Sequence, residues 1–128
     1  MMRYKTALIT GAARGIGLAT AQLMTARGYR VAMVDRDVDE LNAVVTNLDQ
    51  AKAFFCDVSV PKETAKMVKS ILAWTGQIDV VVNNAGIADF GPIEETDFAC
   101  WRKVMATNLD GVFSVSYTHL TLPTMQVV

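Results

Sequence analysis

The stretch TALITGAARGIG, residues 6–17, determines how the rest of the sequence is interpreted. Its first five residues form an apolar run typical of a buried strand, and apolar residues then recur at helical spacing. Between these two patterns lie Gly11, Gly15 and Gly17, which permit a tight turn and a close approach of a ligand to the backbone. The following helix directs free N–H groups and the positive end of its dipole at the same place, which suits a pyrophosphate. A glycine-rich turn without a ligand is the alternative.

Three further apolar strands alternate with helical patterns along the chain. The predicted strands are residues 30–35, 51–58 and 78–82. Asp37 with Glu40 forms a capping-box pattern at the start of one helix, and Ser59 is expected to cap another. Strands and helices that alternate at this spacing predict parallel strands with crossover helices, and therefore an open, doubly wound α/β sheet. Such a sheet binds ligands at the carboxyl ends of its strands.

Charged residues follow the second and third predicted strands. Asp35 stands where an acidic residue accepts hydrogen bonds from the hydroxyls of an adenosine ribose. Its carboxylate repels a 2′-phosphate, so Asp35 favours NAD over NADP. NADP is the alternative cofactor, because the guanidinium groups of Arg14 and Arg36 could hold a 2′-phosphate. Asp57 is interpreted either as an acceptor for the exocyclic amine of adenine or as a turn residue.

Asparagines mark two later segments. NNAG, residues 83–86, follows the fourth predicted strand, and its side chains either bridge neighbouring loops or make a turn. Asn108 lies on the apolar stripe of the last helical pattern, which runs from Trp101 to Phe113. A buried amide needs hydrogen-bond partners, so Asn108 is either satisfied by backbone or held near the reactive end of the cofactor.

Taken together, these segments resemble the short-chain dehydrogenase/reductase family. TGAARGIG resembles the family's TGxxxGxG cofactor motif, CDV its adenine-contacting turn, NNAG its signature after the fourth strand, and NLDG its segment with a catalytic asparagine. The resemblance covers residues 4–114 and implies a Rossmann-like sheet and an NAD(P)-dependent oxidoreductase acting on small alcohols and carbonyls. It implies that Asn108 is catalytic and orders a water in a proton relay. The implied cofactor-binding residues are Gly11, Arg14, Gly15, Ile16, Gly17, Asp35, Arg36, Asp57, Val58, Asn84, Ala85 and Gly86.

The sequence also departs from the family pattern. Family members are longer, and they continue to a catalytic serine and a Tyr-x-x-x-Lys motif whose lysine lowers the pKa of the tyrosine. Tyr117 is followed four positions later by Thr121, and no lysine follows Lys103. We therefore expect residues 1–114 to be an incomplete dinucleotide-binding domain of about four strands, and the chain to be inactive. A non-catalytic dinucleotide-binding module is the alternative, and a nucleotide-sugar epimerase fits the glycine spacing less well.

The C-terminal string VSYTHLTLPT, residues 115–124, resembles translated sequencing-adapter DNA. The codons GTC TCT TAT ACA CAT CTG ACG CTG CCG ACG encode this string and match a transposase adapter. Pro123 also interrupts a helix. We expect residues 115–128 to be a non-native, unstructured tail, with a natural divergent C-terminus as the alternative. The fourth strand is then expected at an exposed edge of the sheet.

Composition excludes several other classes of protein. The chain is 52% apolar and 20% charged, which is typical of a packed globular protein. Its net charge of -1 gives no basic excess for nucleic acid. The two cysteines have no metal-ligand spacing, so we expect no metal site, reduced thiols and a cytoplasmic chain. No apolar run is long enough for a signal peptide or a membrane span. The resemblance implies that the complete protein is a homo-oligomer.

Overall fold

The strands form one parallel sheet. The computed structural model describes residues 4–87, 91–119 and 126–128. Within these ranges the sheet has the order β3-β2-β1-β4-β5, with every neighbouring pair parallel. The strands are β1 (Thr6–Thr10), β2 (Arg30–Asp35), β3 (Ala51–Phe55), β4 (Val80–Val82) and β5 (Gln126–Val127). The predicted α/β class with a parallel, doubly wound sheet is confirmed, and a short fifth strand is added.

The helices connect these strands as crossovers. They are α1 (Gly15–Ala26), α2 (Val38–Val45), α3 (Pro61–Thr75), α4 (Phe98–Met105) and α5 (Gly111–His119), with one π-helical turn (Ala106–Asp110) and one 3₁₀ turn (Ile93–Glu95). Asp37 caps α2 as predicted, because its Oδ1 accepts from the N–H of Glu40 (3.1 Å). The predicted cap at Ser59 is wrong, because α3 begins with Pro61 after Val60. None of the helices in the described ranges could cross a membrane.

Two apolar cores lie on opposite faces of the sheet, because side chains along a strand alternate between its faces. Leu8 belongs to a cluster that α3 covers with Ile71. Ile9 belongs to the other cluster, which α1 and α2 cover with Ala21 and Leu41. All five side chains are fully buried. β1 is therefore enclosed on both faces, and its carboxyl end opens only toward the connecting loops.

The strand β4 is shorter than its apolar sequence predicts. At the beginning of β4, the side chain of Asp79 takes the place of a backbone acceptor in the pairing with β1. Its carboxylate Oδ2 accepts from the N–H of Thr6 (2.8 Å). The N–H of Asp79 in turn donates to the carbonyl of Thr6 (2.8 Å). A side chain that completes a strand pair in this way cannot be recognised from hydropathy.

The expectation that β4 forms an exposed edge is wrong. Gln126–Val127 pairs with β4, and the N–H of Val128 donates to the carbonyl of Val81 (2.7 Å). The N–H of Asn83 donates to the carbonyl of Val128 (2.8 Å). Val81 itself is fully buried in the core cluster that contains Leu8.

The last helix also continues beyond the point expected from the sequence. Residues 115–119 belong to α5, although the helical pattern was expected to end near Ser114. Val115 is fully buried, and it lies four positions after the buried Gly111, on the same helical face. An apolar residue at this spacing lets the helix extend. The foreign origin of the segment stays a prediction, and residues 120–125 lie outside the described residues.

Candidate nucleotide-binding site

A cavity of about 360 Å3 opens at the carboxyl ends of the first strands. It brings together residues from the loops after β1, β2, β3 and β4. Most of the predicted cofactor residues line it, namely Gly11, Arg14, Asp35, Arg36, Asp57, Val58, Asn84, Ala85 and Gly86. Segments that are far apart in sequence therefore form one concave surface, as expected for an open α/β sheet.

The glycines of the first loop serve two purposes. At Gly17 a Cβ atom would lie 2.2 Å from the carbonyl oxygen of Gly11, and at Gly11 it would lie 2.9 Å from Cα of Ala85. These glycines are needed because the chain packs against itself, not only because a ligand approaches. Gly15 differs, since its φ is +57° and nothing lies within 4 Å of the position of a Cβ. It leaves open space at the beginning of α1.

The N-terminus of α1 has no side-chain cap. Arg14 is the N-cap residue, its side chain makes no capping hydrogen bond, and the first turn contains no acidic residue. Free N–H groups at a helix N-terminus attract anions, and the dipole of the helix adds to the effect. Together with the open space at Gly15, this arrangement fits a pyrophosphate. Ile16, which was predicted beside the cofactor, is 77% exposed and does not line the cavity.

Thr10 joins the glycine loop to the loop after β4. Its hydroxyl oxygen accepts from the N–H groups of Asn84 and Ala85, both at 3.0 Å. Asn84 Nδ2 donates to the carbonyl of Gly11 (3.1 Å). Of the two interpretations of NNAG, the bridging one describes Asn84. The sequence analysis did not single out Thr10, although it ends the first strand directly before the glycine loop.

Asp35 fixes the end of β2 against the glycine loop. Its Oδ2 accepts from the N–H of Ala13 (3.1 Å) and its Oδ1 from the N–H of Asp37 (3.0 Å). Each carboxylate oxygen can accept a further hydrogen bond. The carboxylate lines the cavity and is oriented by backbone donors, so it can also accept from a ribose hydroxyl.

Arg14 is not free. Its Nη2 donates to Oδ2 of Asp37 (3.0 Å) and also contacts Oε2 of Glu40. The predicted capping box is therefore only half formed, because the Glu40 side chain binds Arg14 while the N–H of Asp37 donates to Asp35. Arg36 is exposed and forms no ion pair with any residue the structure describes.

Asp57 forms the turn that leads into α3. Its Oδ1 accepts from the N–H of Ser59 (3.0 Å) and from the hydroxyl of Ser59 (2.6 Å). The turn interpretation therefore describes Asp57, which also lines the cavity. Next to it, burial raises the pKa of the Cys56 thiol to about 11, so this thiol is neutral at physiological pH.

Asn108 lies in the π-helical turn between α4 and α5. Its Oδ1 accepts from the N–H of Ile87 (2.8 Å), and its Nδ2 donates to the carbonyl of Ile87 (2.9 Å). The expectation that Asn108 is buried is wrong, because a π turn inserts one residue and rotates the following positions. The buried face is Thr107, Gly111 and Val115, while Trp101 is 53% exposed.

The cavity also contains residues that the sequence analysis missed. They are Val34, Asp37, Cys56, Ile87 and Thr107. Each lies within one or two positions of a predicted site residue in the sequence. This closeness in sequence is the only feature from which they could have been predicted. Conversely, Gly15, Gly17 and Asn108 were predicted at the site but do not line the cavity. Gly17 and Asn108 contact lining residues, namely Gly11 and Ile87, whereas Gly15 faces open space at the beginning of α1.

Comparison with known proteins agrees with this geometry. A family model described as short chain dehydrogenase matches residues 5–126. The chain belongs to the short-chain dehydrogenase family. D-threitol dehydrogenase of Mycolicibacterium smegmatis is 37% identical to this chain over 113 residues, which are 85% of the chain and 44% of that protein. The chain spans about half the length of the curated relatives it matches.

Two solved structures resemble this chain closely. A metagenomic short-chain oxidoreductase in complex with NADP has a TM-score of 0.87 and 34% identity, and the match covers 93% of this chain and 55% of that one. A 3-ketoacyl-(acyl-carrier-protein) reductase from Brucella melitensis, complexed with NADH, has a TM-score of 0.89 and 29% identity, with coverages of 94% and 50%. The family is one of oxidoreductases that bind a nicotinamide cofactor. Since these two relatives hold different cofactors, the preference must be argued from this chain's own residues.

Proposed function

We propose that this chain binds NAD in preference to NADP and that the complete protein transfers hydride between the nicotinamide and an alcohol or carbonyl substrate. One observation carries the proposal. The cavity at the carboxyl ends of the strands combines the uncapped N-terminus of α1, the oriented carboxylate of Asp35 and the backbone of residues 84–86. The helix N-terminus suits the pyrophosphate of a dinucleotide, and the carboxylate suits the hydroxyls of its adenosine ribose. The backbone of residues 84–86 forms one side of the cavity that would hold them.

In this proposal the chain's residues bind and orient the cofactor. The first turn of α1 binds the pyrophosphate, Asp35 accepts from the adenosine ribose, and Asp57 lies near the adenine. When bound, the dinucleotide supplies the hydride donor or acceptor. Asn108 holds the backbone of Ile87 by a pair of hydrogen bonds, and so fixes the loop after β4. A water-ordering role of Asn108 rests on the family resemblance.

We further propose that the 128-residue chain binds cofactor but does not catalyse hydride transfer by itself. None of its tyrosines is followed by a lysine four positions later. The sequence therefore offers no tyrosine–lysine pair of the kind that the family resemblance implies for the general base. The complete protein is proposed to be a cytoplasmic homo-oligomer that acts on a small molecule and binds neither nucleic acid nor membrane.

The second candidate is a dinucleotide-binding module without catalytic activity. The same missing Tyr-x-x-x-Lys pattern favours it. The parent gene distinguishes the two candidates, because a serine and a Tyr-x-x-x-Lys motif beyond codon 114 support the enzyme and their absence supports the module. The same sequencing tests the tail, since a native gene that encodes THLTLPT contradicts its foreign origin.

Calorimetric titration of the chain with NADH and NADPH tests the proposal. Replacing Asp35 by serine should weaken NADH binding by about tenfold or more, because a charge-assisted hydrogen bond to the ribose is lost. It should also reduce the preference for NADH over NADPH, because a negative charge is removed. Asp49→Ser is the matched control, since Asp49 is exposed and does not line the cavity. Absence of saturable NADH binding to the folded wild-type chain, or an equal loss with Asp49→Ser, contradicts the proposal.

A further inference from the structure

The Arg14 guanidinium is held by two carboxylates at the rim of the cavity. Nη2 of Arg14 lies 3.0 Å from Oδ2 of Asp37 and also contacts Oε2 of Glu40. The Arg14 side chain is 65% exposed, so this contact is a surface one. Arg14 and Asp37 line the cavity, whereas Glu40 does not. The carboxylate of Glu40 therefore reaches the cavity through Arg14.

The backbone makes this contact possible. Asp35 accepts from the N–H of Ala13, which fixes the glycine loop beside the end of β2. Asp37 begins α2 as its cap, and Glu40 stands in the first turn of that helix. Arg14 is thus placed directly opposite the N-terminus of α2, within reach of both carboxylates.

Local charge decides what this arrangement excludes. Asp35, Asp37 and Glu40 carry negative charge, whereas Arg14 and Arg36 carry positive charge, so the group is net negative. A 2′-phosphate on the adenosine ribose brings about two further negative charges and needs a guanidinium partner. Here Arg14 already has two carboxylate partners, so that of the two guanidinium groups at the cavity only Arg36 lacks an ion pair among the residues that the structure describes.

We propose that Glu40 is a selectivity-determining, positioning residue for the adenosine ribose. Glu40 and Asp37 hold Arg14 in an ion pair and so withhold it from a 2′-phosphate. Discrimination against NADP then depends on Glu40 in α2 as well as on Asp35 at the end of β2. The inference rests on the proposed function, since it assumes that the cavity binds the adenosine half of a nicotinamide dinucleotide.

The test uses 5′-AMP and 2′,5′-ADP (adenosine 2′,5′-bisphosphate) as probes, which differ only by the 2′-phosphate. Their dissociation constants are measured by calorimetry for the wild-type chain and for Glu40→Gln. We expect Glu40→Gln to bind 2′,5′-ADP about tenfold more tightly, because Arg14 keeps only Asp37 as a carboxylate partner and one repelling charge is removed. Binding of 5′-AMP should stay within about twofold, since no contact to the 5′-phosphate changes. The gain should shrink at high salt.

Asp39→Asn is the matched control. Asp39 stands in the same first turn of α2, is exposed, and is outside the described contacts of Arg14. The substitution removes the same charge from the same turn but leaves the ion pair intact, so 2′,5′-ADP binding should change by less than about twofold. In the double variant Arg14→Met/Glu40→Gln the tenfold gain should disappear.

Three outcomes overturn the inference. One is a Glu40→Gln chain that binds 5′-AMP normally with no gain for 2′,5′-ADP, which leaves the proposed function standing. Another is an equal gain in Asp39→Asn, which assigns the effect to net charge alone. The third is a folded wild-type chain that binds neither probe, which contradicts the proposed function as well. If circular dichroism reveals that Glu40→Gln is unfolded, Glu40→Ala gives the same test, because alanine also removes the carboxylate and favours the helix.

Discussion

Replacing Thr10 by valine should destabilise the chain by about 2–4 kcal/mol. The hydroxyl of Thr10 accepts from two backbone N–H groups, those of Asn84 and Ala85, both at 3.0 Å. Valine has nearly the same shape, so no cavity forms, but both donors lose their acceptor. A buried donor without a partner costs about 1–3 kcal/mol. Because Asn84 and Ala85 are only half-buried, we expect each of their N–H groups to cost an amount in the lower part of that range.

The same strand provides a matched control. Thr6 is also fully buried, but its hydroxyl has no hydrogen-bond partner among the residues that the structure describes. Thr6→Val removes an unsatisfied polar group and should be neutral or stabilising by up to about 1 kcal/mol. Thr10→Ser keeps the acceptor, and it should recover much of the stability that Thr10→Val loses.

Urea unfolding measures these differences as changes in midpoint at constant slope. Thr10→Val should also weaken NADH binding, because the loop after β4 is no longer tied to the glycine loop. If Thr6→Val and Thr10→Val change the free energy of unfolding equally, the reasoning about the Thr10 hydroxyl is refuted.

Two further predictions concern packing and pH. Gly111→Ala should lower the free energy of unfolding by about 1–3 kcal/mol, because the new Cβ would lie 2.8 Å from Cγ2 of Val58. Gly91→Ala should change it little, because nothing lies within 4 Å of the position of a Cβ at Gly91. Thermal unfolding of both variants measures the difference. Burial raises the pKa of the Cys56 thiol from 9.0 to about 11. Between these two pH values the thiol therefore keeps its proton in the folded state and loses it in the unfolded state. The contribution of Cys56 to the free energy of unfolding is fully present below pH 9. This contribution should fall by up to about 2–3 kcal/mol as the pH rises through 11. Urea unfolding between pH 7 and pH 11 should therefore give a flatter profile for Cys56→Ala, and an unchanged profile would contradict the assigned cause.

Local patterns predicted much of the fold correctly. The apolar runs identified the strands, because a parallel sheet buries both faces and its strands are apolar throughout. The cap at Asp37 was correct because one side chain and one nearby N–H determine it. Hydropathy could not reveal where β4 begins, because the side chain of Asp79 completes the pairing with Thr6.

The candidate site was predictable in its parts but not in its contacts. Sequence placed Arg14 and Asp35 at neighbouring strand ends, and the fold brings both to the cavity. It could not indicate that Glu40 binds Arg14, because the pair joins two elements that only the sheet brings together. The exposure of Asn108 depends on a π turn, and helical periodicity assumes 3.6 residues per turn throughout.

The central claim is that the carboxyl edge of the sheet binds a nicotinamide dinucleotide. Titrating the ¹⁵N-labelled chain with NADH, while recording amide chemical shifts, tests it most directly. Saturable changes should concentrate at residues 11–17, 35–37, 57–58 and 84–87. No saturable change, or changes confined to the exposed face of α4 and α5, would contradict the claim.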